Sequence, residues 1–411
     1  MINSGDTAWV LTSTALVMLM TIPGLALFYG GLVRRKNVLA TIMQSFFVLC
    51  LISLQWILFG YSLSFGPDKG HLIGNLSWLG LRGVGGVPET AYAATIPHIL
   101  FMAFQMMFAV ITPGLITGAF AERMKFSSYV LFTLLWATIV YNPVCHWVWG
   151  AGGWLKNLGV MDFAGGIVVH VTSGFSALVC ALYLGSRRGY GTEPMPPHNL
   201  PLTIVGAGLL WFGWFGFNAG SALGANSIAA TTFVTTNTAA ASAALVWMII
   251  EWKLTGKPTI LGGATGAVAG LATITPASGF VSPLSAILIG IIAACICYIA
   301  VAVVKLKFAY DDSLDAFGVH GVGGLIGTLA TGLFAEKALN LSGNNGLFFG
   351  NASQFAIQSL GALIIILYSA GITLLLLKVI DATIGLRVTD EEEVVGLDIT
   401  QHEESAYTLL D

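Results

Sequence analysis

The feature that most limits what this chain can fold into is a succession of long apolar runs, nearly free of charge, separated by short segments that hold most of the charged residues. A membrane-spanning helix needs about 20 apolar residues. The chain offers eleven such candidates, at roughly 7–32, 39–65, 96–121, 127–146, 164–186, 199–219, 227–252, 260–276, 281–305, 317–335 and 354–380. Of the 411 residues, 56% are hydrophobic and only 9% charged, against roughly a quarter charged in soluble domains. No soluble core could enclose that much apolar surface, so lipid must cover part of it. The 50 glycines suit close helix packing in a bilayer. The first run begins at Trp9 behind Asp6 and is followed by Arg34-Arg35-Lys36, the reverse of a signal peptide, so it reads as a first spanning helix.

Orientation follows from basic residues, which favour the cytoplasmic side. With the amino terminus outside, only Lys69, Arg82, Lys156 and Lys337 of the 17 lysines and arginines fall outside. Eleven helices then leave the carboxyl tail inside. The expected fold is an all-α polytopic membrane protein: a transmembrane domain over 1–381 and a tail over 382–411, rich in acids and positioned to dock on its own cytoplasmic loops. Net charge is −3 with no long basic run, which gives no support to nucleic-acid binding. Cys295 and Cys297 lie two apart, off a common helix face, so they read as packing residues rather than metal ligands. No metal or cofactor is expected.

Ionisable groups inside membrane helices are costly and mark function by default. Two histidines qualify, His170 in Asp162-Phe-Ala-Gly-Gly-Ile-Val-Val-His170 and His320 in Asp315-Ala-Phe-Gly-Val-His320. They fall in the fifth and tenth helices, equivalent places if the chain is two inverted five-helix repeats plus one extra helix. Inverted repeats place the substrate path at their interface. A lone intramembrane histidine is usually a hydrogen-bonded packing residue; a matched pair argues against that. Facing imidazoles can share a proton, and an apolar pore holding them suits a small neutral molecule that both donates and accepts hydrogen bonds. Asp162 and Asp315 read first as helix caps. Phe104, Phe108, Trp149, Trp211, Trp214 and Phe217 read individually as interfacial anchors; several converging on one vestibule could hold a cation against ring faces.

These motifs resemble the ammonium transporters of the Amt/MEP/Rh family, on the bacterial and archaeal Amt side. The resemblance rests on Pro23-Gly-Leu-Ala-Leu-Phe-Tyr-Gly-Gly31 and the Asp162-to-His170 stretch. Asn218-Ala-Gly-Ser221, Ile274-Thr-Pro-Ala277, Phe317-Gly-Val-His-Gly321 and Gly385-Leu-Arg-Val-Thr-Asp390 extend it over nearly the whole chain. It implies a homotrimer in the cytoplasmic membrane with one pore per subunit. It also implies recruitment of ammonium (or its analogue methylammonium) by Trp149, Phe108 and Ser221 beside Asp162, a gate of Phe108, Phe217 and Trp214, and twin pore histidines His170 and His320. Ammonia then crosses after deprotonation near Asp162, with a separate proton relay. A PII-type signalling protein is the implied cytoplasmic partner, with Arg387, Asp390, Gly396, Asp398 and Tyr407 matching the regulatory tail. Three competing readings stand beside it. The first is a neutral gas channel for ammonia or carbon dioxide. The second is an ammonium sensor signalling through PII. The third is an intramembrane enzyme using His170 with Ser173 or Asp162, in which no acid completes a triad at compatible depth.

Overall fold

The computed structural model describes residues 1–407, so the last four residues of the predicted tail lie outside the described region. Among the described residues ten helices are long and apolar enough to span a bilayer. They are α1 (Ser4–Leu32), α2 (Arg35–Phe65), α3 (His98–Phe120), α4 (Phe126–Leu158, broken at 150–153), α5 (Gly166–Leu184), α6 (Leu200–Ala219), α7 (Ser227–Thr255), α9 (Pro283–Phe308), α10 (Phe317–Phe334) and α11 (Ala352–Ile384). The predicted eighth span is the shorter α8, Ile260–Ile274. Fifteen residues rise only about 22 Å. The chain after α8 stays buried through Val281 in turns held by other parts of the protein: Phe163 N–H donates to the Pro276 carbonyl at 3.1 Å. Non-helical backbone at such depth is tolerated because protein rather than lipid surrounds it.

The helices sort by burial. From Met107 to Phe120 every residue of α3 is buried, whereas α2, α9 and α11 leave Leu54, Leu284 and Leu367 facing outward. Two short strands, β1 (Asp68–Lys69) and β2 (Ile73–Gly74), form a hairpin after α2.

Wide π-helical turns recur at matched places in the two halves. They occupy Ala137–Tyr141 of α4 and Ala300–Val304 of α9, and Gly166–Val171 of α5 and Phe317–Gly321 of α10; α6 has one at Phe215–Ala219, where its counterpart α1 is instead kinked at Ile22-Pro23. Such turns often sit at functional sites. Helices α5 and α10 cross antiparallel. A Cβ at Gly174 would collide with the backbone of Gly321, and one at Gly324 with the Cβ of His170. Each glycine lies four residues after its own histidine, so the same local device brings both helices into backbone contact.

The tail docks on the loops at one face. Two short helices, α12 (Asp390–Val395) and α13 (Leu397–His402), follow an extended stretch at Leu386–Val388 that pairs with the α3–α4 loop: Lys125 N–H donates to the Leu386 carbonyl at 2.9 Å and Val388 N–H to that of Arg123 at 3.0 Å. Thr389 and Glu392 form a reciprocal capping box at the start of α12.

Candidate functional site

The two histidines meet. Their ring centroids lie 5.2 Å apart, near parallel at 12°. His170 is also flanked by Trp214 at 5.6 Å and Phe217 at 6.0 Å. Both ring nitrogens of His170, and Nδ1 of His320, are buried without a hydrogen-bond partner. The packing-residue reading, which requires such partners, is therefore not what the structure contains at His170.

The rings line a narrow lumen with Met20, Phe28, Leu115 and Val268 among its apolar walls. Its residual volume of ≈ 10 Å³ is at the lower limit for one water-sized molecule. Toward the face opposite the tail, Phe217 packs on Phe108 at 4.4 Å, and Phe108 on Trp149 at 5.8 Å in an edge-to-face contact. Beyond this aromatic plug lies a cavity of ≈ 180 Å³ lined by Trp149, Asp162, Ser221, Gln105, Tyr92 and Lys156, among others. Sequence reasoning assigned no role to Gln105, Tyr92 or Lys156; Gln105 and Lys156 had only their nearness to Phe108 and Trp149 as a signal, and Tyr92 had none. On the tail side, a cavity of ≈ 60 Å³ joins His320 to Tyr29, Thr265 and Asp315. Trp149 is the last helical residue before the break in α4 rather than lying beyond the helix, and its indole N–H donates to the Asp162 carbonyl at 2.9 Å. Trp214 donates to Thr275 Oγ1 at 2.9 Å, and Ser221 Oγ to the Phe217 carbonyl at 2.9 Å.

Asp162 caps α5 more fully than expected. Oδ1 accepts from Gly165 and Gly166 at 2.9 and 2.7 Å, and Oδ2 from Ile167 and Val168 at 2.8 and 3.0 Å. Asp315, in contrast, does not cap α10. Asp312 does, accepting from Ala316 at 3.1 Å and Phe317 at 2.8 Å, while Asp315 pairs with Lys305. The spacing explains this: Asp162 precedes His170 by eight residues and Asp312 precedes His320 by eight, so Asp312 is the true counterpart. The nearer acid at 315 obscured that match. Ser173 Oγ donates to the Val169 carbonyl at 2.6 Å, so it is no poised nucleophile.

At the tail face, Arg387 donates to the carbonyls of Leu184 (2.9 Å) and Ser186 (2.8 Å) and pairs with the buried Glu393 at 2.8 Å. Asp398 accepts from the Ala40 N–H at 2.8 Å, and Tyr407 Oη lies 3.0 Å from His198 Nε2. Gly396 has φ 109°, a left-handed value, and a Cβ there would meet Lys36. Asp390 is exposed on the first turn of α12. Beneath the tail, Arg123 is wholly buried and reaches five acceptors in both halves: the carbonyls of Ala119, Ala121, Gly185 and Asp311, and Ser313 Oγ. Burial pulls its guanidinium down to about 10, against the charge of Asp311.

Comparison with known proteins finds relatives over nearly the whole chain. The profile of the Ammonium Transporter Family matches residues 8–407. An ammonium transporter of Bacillus subtilis (strain 168) is 52% identical over 403 residues, covering 98% of each chain. The crystal structure of Saccharomyces cerevisiae Mep2 superposes with a TM-score of 0.89 at 37% identity, covering 95% of this chain and 88% of that one. A solved structure described as a sensor Amt protein also gives 0.89, at 32% identity, covering 97% and 98%.

Proposed function

The chain belongs to the ammonium transporter family, and on that premise we propose that it recruits the ammonium cation at the aromatic cavity and passes neutral ammonia through the histidine-lined lumen. The observation that carries this reading is the change of environment across the Phe108–Phe217 pair. On one side stand ring faces and polar oxygens suited to a cation; on the other, an apolar lumen. Ring faces attract a cation by about 0.5–2 kcal/mol per contact. Taking that cation bare into an apolar lumen costs several kcal/mol, whereas neutral ammonia avoids the charge penalty. Trp149, Phe108 and Ser221 recruit, Phe108 and Phe217 with Trp214 form the gate, and His170 and His320 accept and donate hydrogen bonds to ammonia in transit. Asp162 contributes through its negative field and by fixing the start of α5. Its oxygens are committed to four N–H groups, so the proton is released to water in the cavity rather than onto its carboxylate. The proton then crosses separately from ammonia by a relay through the paired imidazoles of His170 and His320, which makes net transport carry charge.

The working unit in this reading is a homotrimer in the cytoplasmic membrane, amino terminus outside, with the docked tail as the surface that a PII-type protein reads. Similarity to a sensor Amt protein favours one second reading, in which occupancy of the pore is reported through that tail.

The test is current across a supported bilayer after an ammonium pulse, with a His170→Ala/His320→Ala variant alongside. Saturable current in the parent and none in the variant is expected. Ammonia flux without current would replace charge-coupled transport with the neutral gas channel.

A further inference from the structure

We propose that Gln105 belongs to the recruitment site, its side-chain carbonyl accepting a hydrogen bond from the ammonium cation. The proposal rests on the recruitment reading above and extends it by one residue.

Gln105 lies on α3 three residues before Phe108, so both project from neighbouring positions on one helix face. It lines the same cavity as Trp149, Asp162 and Ser221. Its Oε1 is buried and has no donor within reach. Buried amide oxygens in native proteins nearly always have a partner, so one left without a donor on a residue that lines a polar cavity points to a ligand with N–H or O–H groups. The oxygen is shielded as the amide stands, and a half-turn of the amide brings it to the cavity.

The other polar atoms of the cavity are largely committed. The Trp149 indole N–H is spent on Asp162, and each Asp162 oxygen already accepts two backbone N–H groups. Ser221 uses its proton on Phe217, leaving its lone pairs free. Two acceptors without a donor remain among these groups, Ser221 Oγ and Gln105 Oε1. A tetrahedral ammonium carries four N–H donors, so it can address both and turn the others toward ring faces or water. A spherical cation of the same charge has no such directed donors. An amide can present oxygen or nitrogen, and a cation selects the oxygen.

Initial-rate ammonium uptake in proteoliposomes tests this with Gln105→Leu and Gln105→Glu. Leucine removes the acceptor and is expected to raise KM about tenfold with kcat nearly unchanged, since hydrogen bonds to charged groups are the stronger kind. Glutamate keeps an acceptor of the same reach and is expected to return KM to the parent value or below it. A KM unmoved by leucine, or a loss of kcat in both variants without the KM split, overturns the proposal. Trp149→Leu and Ser221→Ala run in parallel: if they leave KM unchanged, the recruitment reading itself fails. If they raise it and Gln105→Leu does not, only the role of Gln105 falls.

Discussion

Asp162 accepts four backbone N–H groups and Asp312 accepts two, so the two pore-helix starts depend unequally on their carboxylates. An asparagine can serve only part of such a cradle and turns an N–H₂ against the remaining donors. Asp162→Asn is therefore expected to cost about 2–4 kcal/mol in thermal unfolding of the detergent-solubilised protein and to abolish uptake, because the first turn of α5 carries His170. Asp312 adds a pH signature. Burial, then the charge of Asp315, raise its carboxyl to about 6. An unfolded aspartate titrates near 3.9, so the folded chain holds the extra proton between these values. The contribution is complete below about 3.9 and is lost as pH rises through 6. The stability difference between the parent and Asp312→Asn should be most favourable to the parent near pH 4 and decline by pH 7; a flat difference would refute the shift. Lys156 lines the recruitment cavity with its ammonium donating to the Trp149 carbonyl at 3.0 Å, a fixed positive charge beside a proposed cation site. Repulsion of about 0.5–1 kcal/mol predicts that Lys156→Gln lowers KM for ammonium two- to fivefold, an effect that shrinks at high salt.

At the scale of elements, the spanning helices were legible because charge-poor runs of the right length have few alternatives in a bilayer. The shortest predicted span, at 260–276, became the shortest of the eleven helices of the transmembrane domain, because Pro276 and its neighbours turn away inside the protein rather than continuing to lipid. The pairing of α5 with α10 was legible from two histidines at equivalent places. What was misread was which acid caps α10: Asp312 and Asp315 both precede it, and the eight-residue spacing from Asp162 to His170, which picks out Asp312, was hidden by the nearer acid. Gln105 stayed hidden for a similar reason: an unsatisfied oxygen is a property of the surroundings, not of the residue. The glycines that set the crossing make an element-scale prediction. Gly174→Val drives a side chain into the Gly321 backbone, which cannot yield without separating the histidines. It should abolish uptake and lower the yield of folded protein. Gly371→Ala in α11, where nothing lies within 4 Å of the added carbon, should transport like the parent and unfold at the same temperature or slightly above it.

Across the whole molecule, the tail-bearing face joins elements that the sequence keeps far apart. Lys36 donates to the carbonyls of Glu393 and Val394 at 2.8 and 2.6 Å, Asn37 accepts from the Leu397 N–H at 2.8 Å, and Arg188 N–H donates to Glu393 Oε1 at 2.6 Å. Docking itself was expected from the tail's acids, but these partners are long-range and carry no local pattern. Glu393 is where the network converges, 1% exposed and bound to Arg387, Arg188 and, through its carbonyl, Lys36. Glu393→Ala leaves the Arg387 guanidinium without its carboxylate, a loss of about 1.5–3 kcal/mol for a hydrogen bond to a charged group. The tail should then leave its seat often enough for trypsin to cut after Arg387 at least tenfold faster than in the parent, while the helices resist. Because the seat touches the α1–α2, α3–α4 and α5–α6 connections, its loss should also lower kcat for ammonium severalfold. KM should hold, since the proposed recruitment cavity lies at the opposite face. A variant cut rapidly yet transporting at the parental rate would show that the seat holds the tail without acting on the pore.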